Sequence, residues 1–338
     1  MTEPIDFSLC ERLPGRAYNG ANGKKIAVRY DGDVWLIKFP PSAAEKPTAL
    51  SYTNSCLSEH IASTIANMIG LMSHETRLGT FTNGKTKIVC ACRDFTAGGK
   101  TLYDFCSIKN TVIDSETGGT GTELSDVLET IDLQSFVDPV TLKAHFWDMF
   151  VVDAFLGNFD RHNGNWGFLV DPATRQAEIA PAFDFGSCLL PQADDDVMRR
   201  VIEDKAERDA RIYTFPASAL KENGKKIGYV DFFRRHAGDL LAPSLARIAP
   251  RIDLTAIHAF IDDVPLLSDL QRTFYKVYLS ARYEALGLNG SFDDNRISVC
   301  THPYFGSAVQ SARAVTEEVD MLRRREWRQI DSDMETKG

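Results

Sequence analysis

The stretch between residues 157 and 187 constrains this chain more than any other part of its sequence. It contains Asp160 and Asn165, five positions apart in the run GNFDRHNGNWGFL, followed by Asp184 at the start of Asp-Phe-Gly. An acid, an amide and a second acid in this order suit phosphoryl transfer from MgATP. One carboxylate orients an acceptor hydroxyl, and the amide and the second carboxylate hold magnesium on the phosphates. The pattern predicts Asp160 as a catalytic residue, Asn165 and Asp184 as metal ligands, and ATP and Mg²⁺ as cofactors.

A lysine and a glutamate further upstream complete the set of charges that this chemistry needs. Lys38 lies in the apolar run Val34–Phe39, where a lone lysine requires an edge position or a buried anionic partner. Glu59 lies on the next predicted helix and is the natural partner, although taken alone it would be a solvated helix residue. In a kinase the lysine neutralises the α- and β-phosphates and the glutamate holds the lysine.

Two backbone segments are candidates for nucleotide contacts. The loop before the first hairpin has two glycines whose neighbouring amides could approach phosphate oxygens, although an ordinary turn would look the same. A second segment falls where two lobes would meet, so its backbone could hydrogen-bond to adenine. The predicted contacts are Gly20, Ala21, Asn22 and Gly23 in the loop, and Val89, Cys90, Ala91 and Cys92 in the second segment.

His162 lies inside the loop of residues 157–166, which we call the Asp160 loop. Magnesium prefers oxygen ligands, so we interpret His162 as a loop-shaping residue with a minor catalytic role. Asp148 and Asp153, on the preceding predicted helix, have no motif support and are interpreted as structural.

The order of predicted elements favours a two-lobed α+β fold of the protein-kinase type. Residues 1–93 read as a small β-rich lobe in which two hairpins flank a helix at about Asn54–Ile69. Residues 94–330 read as a larger, mainly helical lobe, and residues 331–338 as a disordered tail.

Three features of the larger lobe are predicted in more detail. A strong apolar helix spans about Pro139–Leu156, with Asp138 as its cap, and leads directly into the Asp160 loop. A short hairpin follows it, from Trp166 to Ile179. The polar, glycine-rich residues 114–124 predict a mobile loop, and Ser311–Gln329 predict a charged helix.

Charge and composition bound the partners. The 338 residues carry a net charge of −9 with a pI of about 5.3, which argues against binding nucleic acid through the surface as a whole. Local basic spots such as Lys225-Lys226 and Arg323–Arg325 are interpreted as solvated surface. The seven scattered cysteines lack zinc-ligand spacing and favour reduced thiols.

The sequence shows no classical secretory signal and no apolar run long enough to span a membrane. These absences favour a cytoplasmic protein without a membrane role. Delivery to a host cell by a dedicated export machine would leave no mark that can be read here.

With these residues in place, the chain resembles the HipA-like serine/threonine kinases, and most closely their compact CtkA type. The likeness covers the GANGKK loop, VWLIKFPP, and DMFVVDAFLGNFDRHNGNWGFL, and continues more weakly to PRID near residue 252. It implies a Ser/Thr protein substrate, autophosphorylation, Lys38 on the α- and β-phosphates, and adenine contacts near Val89–Arg93. The additional N-terminal subdomain of HipA is expected to be absent, which weakens any transfer of its antitoxin and operator-DNA partners, although a regulatory protein partner stays open. The regulatory serine of HipA has no counterpart, because residues 18–25 contain no Ser or Thr.

Three alternatives stay open at the level of sequence. The Asp160 loop is also similar to that of phosphoinositide lipid kinases, although no basic or amphipathic membrane face supports a lipid acceptor. A non-catalytic nucleotide-binding module is disfavoured because the lysine, the catalytic aspartate and both metal ligands are present. The motif does not exclude adenylyl transfer.

Overall fold

The structure, a computed structural model, describes residues 4–16, 24–40, 53–114 and 117–290. Its strands are β1 Ile5–Asp6, β2 Glu11–Arg12, β3 Lys25–Tyr30, β4 Asp33–Lys38, β5 Thr76–Asn83, β6 Lys85–Arg93, β7 Thr101–Asp104, β8 Gly167–Val170, β9 Ala177–Ile179, β10 Lys221–Glu222 and β11 Lys225–Lys226. Its α-helices are α1 Ser55–Met68, α2 Phe105–Val112, α3 Leu124–Leu133, α4 Pro139–Leu156, α5 Asp195–Glu203, α6 Lys205–Asp209, α7 Tyr229–His236, α8 Ala242–Ile248, α9 Leu254–Asp263 and α10 Asp269–Ala285. The predicted α+β fold is confirmed.

The smaller lobe is a six-stranded sheet in the order β1-β5-β6-β4-β3-β2. The β3–β4 hairpin closes through Asp31 and Gly32, whose φ angles of 50° and 82° match the twist of a two-residue turn. Alternation along each strand sends Trp35 and Ile37 into a small core on one face of the sheet, while Leu36 and Lys38 lie on the other face. Both predicted hairpins of this lobe are present.

Helix α1 connects the sheet to the larger lobe. Its apolar residues, including Ile61 and Ile65, belong to the large core of the helical lobe and not to the small core of the sheet. Asn54, the residue before the helix, accepts a hydrogen bond from Gln271 of α10 (3.2 Å). Its backbone and side-chain nitrogens donate to the carbonyl groups of Pro191 (3.1 Å) and Ala193 (2.8 Å). The start of α1 is therefore fastened to the larger lobe.

Helix α4 is the centre of the larger lobe and points at the Asp160 loop. It ends at Gly157, which has a φ of 67° and lies so close to Tyr278 that a Cβ would be 2.2 Å from the hydroxyl oxygen. The chain then turns through the Asp160 loop into β8, which pairs with β7 and β9 in a three-stranded sheet. The predicted helix and the predicted β8–β9 hairpin are both confirmed.

Other expectations for this lobe differ from the structure. Among residues 117–124, which were predicted to be mobile, Gly119 is buried and its carbonyl accepts a hydrogen bond from the Asn163 side chain (2.7 Å). Gly119 can pack in this strap of residues 119–122 because it has no side chain to displace: a Cβ there would lie 1.8 Å from the carbonyl oxygen of Cys106. The short β10–β11 hairpin was not predicted, and the predicted helix Ser311–Gln329 lies outside the described residues. Within those residues, no helix combines the length and apolar character needed to cross a bilayer.

The cap of α4 offers a test of how this helix is held. The Asp138 carboxylate accepts hydrogen bonds from the backbone (2.9 Å) and side chain (2.7 Å) of Thr141, and these bonds lower the pKa of Asp138. A lowered pKa means that the stabilisation is complete above the ordinary value of 3.8 and is lost as the pH falls through the folded-state value. We expect Asp138→Ala to lower the melting temperature by a few degrees at pH 7. Asp138→Asn should retain most of the cap, and melting curves that show equal losses for both variants would contradict this account.

Candidate active site

Lys38, Glu59 and Asp184 meet between the two lobes. The Lys38 ammonium lies 2.9 Å from Oε2 of Glu59 on α1 and 3.0 Å from Oδ1 of Asp184. Burial alone would lower the pKa of Lys38, but the two carboxylates raise it well above its usual value. The lysine is therefore a fixed positive charge, and the ion pair predicted between Lys38 and Glu59 is present.

Glu59 is held by contacts on both of its oxygens. Its Oε1 accepts a hydrogen bond from the backbone N–H of Phe185 (3.1 Å) and lies 3.0 Å from Nε2 of the buried His74. Burial opposes ionisation of Glu59, but Lys38 and His74 hold its pKa well below its usual range. Glu59 is thus a buried carboxylate fixed by three elements, and its orientation fixes that of Lys38.

His74 was missed by sequence reasoning, because a single histidine between a helix and a strand carries no motif. If it orients Glu59, His74→Leu should reduce kcat/KM for ATP about ten-fold, since a hydrogen bond to a charged group contributes about 1.5–3 kcal/mol. His74→Gln, which keeps a side-chain donor, should retain most of the activity. Initial rates at several ATP concentrations would test this. Equal rates for wild type and His74→Leu would exclude the role.

Asp160 lies in the half-buried loop after α4. Burial raises the pKa of its carboxyl group, His162 opposes that shift, and the charge of Asp184 adds to it. The charge of Asp184 is thus close enough to influence the ionisation of Asp160. Two neighbouring carboxylates favour the arrival of a cation.

Asn165 and Asp184 provide oxygen donors of the kind that Mg²⁺ prefers. The amide nitrogen of Asn165 donates to the backbone carbonyl of Asp160 (2.8 Å), which leaves the side-chain oxygen for a cation. Asp184 has a φ of 61°, an uncommon conformation for a residue with a side chain, and its carboxylate is 47% exposed. A donor set of one amide and one exposed carboxylate fits a magnesium ion that completes its shell with phosphate and water.

Arg161 is a second residue that sequence reasoning did not single out. Its guanidinium is buried, pairs with Asp153 on α4 (2.9 and 3.2 Å), and donates to the backbone carbonyls of Asn165 (2.8 Å) and Phe183. The signal was present: an aspartate on an otherwise apolar helix needs a buried partner. Through these contacts Arg161 ties the Asp160 loop to the segment that carries Asp184.

His162 is exposed, and its Nδ1 accepts a hydrogen bond from the backbone N–H of Gly164 (3.0 Å). This contact agrees with the predicted loop-shaping role. The neighbouring Asn163 donates to the carbonyls of Gly119 (2.7 Å) and Gly121 (2.8 Å), which anchors the loop from below.

The predicted nucleotide-binding backbone needs one correction. Residues 90–92 lie inside β6 and pair with β5 on one edge and with β4 on the other, and Val89 pairs with Gly79 of β5. Both N–H and C=O groups are used where a strand has neighbours on both edges, so the backbone of Cys90, Ala91 and Cys92 is not free for adenine. The adenine contact of Val89, which pairs on one edge, stays a prediction. The side chains of Cys90 and Cys92 instead lie with Cys56 and Leu36 on the Lys38 face of the sheet. The predicted phosphate loop, Gly20, Ala21, Asn22 and Gly23, lies outside the described residues.

Comparison with known proteins finds kinases that are similar to this chain in sequence and in structure. A profile of the HipA-like C-terminal domain matches residues 17–252. The serine/threonine-protein kinase CtkA of Helicobacter pylori strain J99 is 48% identical over 279 residues, which cover 82% of this chain and 85% of the relative. The crystal structure of a Helicobacter pylori proinflammatory kinase CtkA superposes with a TM-score of 0.79 at 45% identity, over 86% of this chain and all of that one.

A more distant likeness shows the shared fold alone. HipA in the Shewanella oneidensis MR-1 complex of HipA, HipB and operator DNA matches with a TM-score of 0.50 and 18% identity, over 83% of this chain and 67% of that one. The domain match, the CtkA relative and the CtkA structure together establish that this chain belongs to the HipA-like family and is a serine/threonine-protein kinase of the CtkA type.

Proposed function

We propose that this kinase transfers the γ-phosphoryl group of ATP, with Mg²⁺, to Ser or Thr hydroxyls of proteins, including its own. The observation that carries the proposal is the meeting of Lys38, Glu59 and Asp184 beside the Asp160 loop. Each of these side chains would have one role in the reaction.

Lys38, oriented by Glu59, would bind the α- and β-phosphate oxygens. Asn165 and Asp184 would hold magnesium, which when bound neutralises charge on the phosphates. Asp160 would orient the acceptor hydroxyl and take its proton as the new P–O bond forms and the bond to the leaving ADP breaks. Because the transition state spreads negative charge over the phosphoryl oxygens, this set acts mainly by positioning and electrostatic stabilisation.

For adenine we propose the chain that follows β6. Asp94 leaves the sheet there: its backbone N–H still donates to Val34 (2.9 Å), but residues 95–98 form turns outside the strand. This segment joins the two lobes and is free of the ladder that occupies residues 90–92. Phosphate contacts by the loop of residues 20–23 stay part of the proposal.

One assay tests the proposed reaction. The full chain is incubated with ATP labelled at the γ or at the α position, with protein and with phosphoinositide vesicles as acceptors, and wild type is compared with Asp160→Ala. Label from the γ position on Ser or Thr, lost in the variant, supports the proposal. Transfer only from the α position would indicate adenylyl transfer, and transfer only to lipid would indicate a lipid kinase. If no transfer is found that the Asp160→Ala substitution abolishes, the proposal is overturned.

A further inference from the structure

The β10–β11 hairpin, residues 221–226, is a basic feature on an acidic protein. Lys221, Lys225 and Lys226 are all exposed, and none of the three has an ion pair among the residues that the structure describes. The one acid of the hairpin, Glu222, is paired with Arg235 (2.9 Å). The hairpin therefore presents three exposed lysines outside any such ion pair, whereas the whole chain carries −9.

A continuous set of hydrogen bonds links this hairpin to the Asp160 loop. The side chain of Asn163 donates to the carbonyls of Gly119 and Gly121. The carbonyl of the next residue, Thr122, accepts a hydrogen bond from the backbone N–H of Lys221 (2.8 Å). The strap of residues 119–122 thus lies between the loop and the hairpin and bonds to both.

Three further contacts hold the hairpin in place. The backbone N–H of Gly224 at its turn donates to Glu123 (3.1 Å), so this acid is engaged by the hairpin backbone. The hydroxyl of Tyr229, just beyond the hairpin, donates to the carbonyl of Asn158 in the Asp160 loop (2.6 Å). Burial is the main cause of the raised pKa of Asp160, and the charge of Lys226 is one of the smaller influences that lower it. The basic hairpin therefore flanks the residue that would receive the acceptor hydroxyl.

We propose that the 221–226 hairpin is a substrate-recognition surface that selects Ser or Thr acceptors flanked by acidic side chains. The inference rests on the proposed function, because it assumes a protein acceptor at Asp160. An acceptor peptide must lie across the neighbourhood of Asp160, within reach of exposed charges whose effect extends about 8–10 Å at moderate salt. Exposed lysines beside the acceptor site attract carboxylates and repel basic side chains, which gives selectivity more than raw affinity.

An acidic peptide suits this surface better than a membrane does. The hairpin reads Lys-Glu-Asn-Gly-Lys-Lys and has no apolar side chain to insert into a bilayer. An anionic membrane would attract the three lysines, but the net charge of −9 would oppose the approach of the whole molecule.

The test is a charge exchange between enzyme and peptide. Two peptides are used that are identical except for three Glu or three Lys residues beside a single Ser, and kcat/KM is measured for each. We expect wild type to prefer the acidic peptide about ten-fold at low salt, and this preference should fall towards parity at about 1 M salt. The double variant Lys225→Glu, Lys226→Glu should lose or reverse the preference. The matched control is Lys85→Glu, Lys87→Glu, which makes the same charge change at an exposed hairpin of the sheet lobe and should keep the wild-type ratio.

The outcomes separate this inference from the function on which it rests. If wild type phosphorylates both peptides equally, or if the hairpin variant keeps the wild-type ratio, the recognition surface is wrong while the kinase activity stands. If neither peptide is phosphorylated but phosphoinositide vesicles are, and the hairpin variant abolishes that transfer, the surface binds lipid phosphates and the peptide proposal is overturned. Absence of transfer from γ-labelled ATP to any acceptor would refute the proposed function itself.

Discussion

Asp184→Ala is expected to reduce phosphoryl transfer about a hundred- to a thousand-fold, the scale of removing one preorganised stabilising group. The substitution would remove the carboxylate proposed to hold magnesium and would leave Lys38 paired with Glu59 alone. Its effect on folding should be small, because the Asp184 side chain is 47% exposed and Lys38 keeps its ion pair with Glu59. Transfer from γ-labelled ATP at saturating Mg²⁺ would measure the loss.

Two observations would make that result specific. Asp196→Ala, which removes an exposed acid on α5, should leave activity unchanged and controls for net charge. The melting temperature of Asp184→Ala should stay close to that of wild type. A variant that retains more than about a tenth of the wild-type rate would show that Asp184 is not the principal metal ligand.

Asp153→Ala is expected to lower the free energy of unfolding by about 3–5 kcal/mol, because it leaves the buried Arg161 guanidinium without its carboxylate. Both side chains are at most 5% exposed, and Asp153 also accepts a hydrogen bond from the side chain of Asn158 (2.8 Å). Equilibrium unfolding in urea would measure the change. Activity should fall as well, since Arg161 fixes the Asp160 loop.

The same helix supplies a matched control for this effect. Asp148, on the exposed side of α4, pairs with Arg247 through both carboxylate oxygens (2.8–3.1 Å), but Arg247 is 40% exposed. Because water screens an exposed pair, Asp148→Ala should cost only about 0–1 kcal/mol. Equal losses for Asp148→Ala and Asp153→Ala would show that burial does not set the strength of these pairs.

Local rules account for the parts of the fold that were predictable. The Asp31-Gly32 turn, the cap at Asp138 and the glycine at the end of α4 are each decided by neighbouring residues, so the hairpins and helix boundaries follow from sequence. Lys38 could be paired with Glu59 because a charge in an apolar strand requires a partner.

The parts that were not predictable depend on contacts between distant residues. His74 approaches Glu59 only after the sheet and α1 have packed, and nothing in its local sequence indicates that contact. The position of Val89–Cys92 at the end of the sheet lobe predicts adenine contacts, but sequence alone does not show that β4 and β5 occupy both edges of residues 90–92. Polarity and glycine content predict a mobile loop at the strap beneath the Asp160 loop, because these properties do not report burial.

The attachment of α1 to the larger lobe has a consequence for how this enzyme is controlled. Kinases are commonly switched by displacing the helix that carries the glutamate or by ordering a long segment after Asp-Phe-Gly. Here Asn54 bonds to Pro191 and Ala193, and only eight residues, 187–194, separate Asp-Phe-Gly from α5. In a catalytic centre assembled in this way, neither α1 nor the segment after Asp-Phe-Gly provides an inactive conformation. We therefore expect its output in the cell to follow the number of molecules made, their lifetime and the proteins they meet.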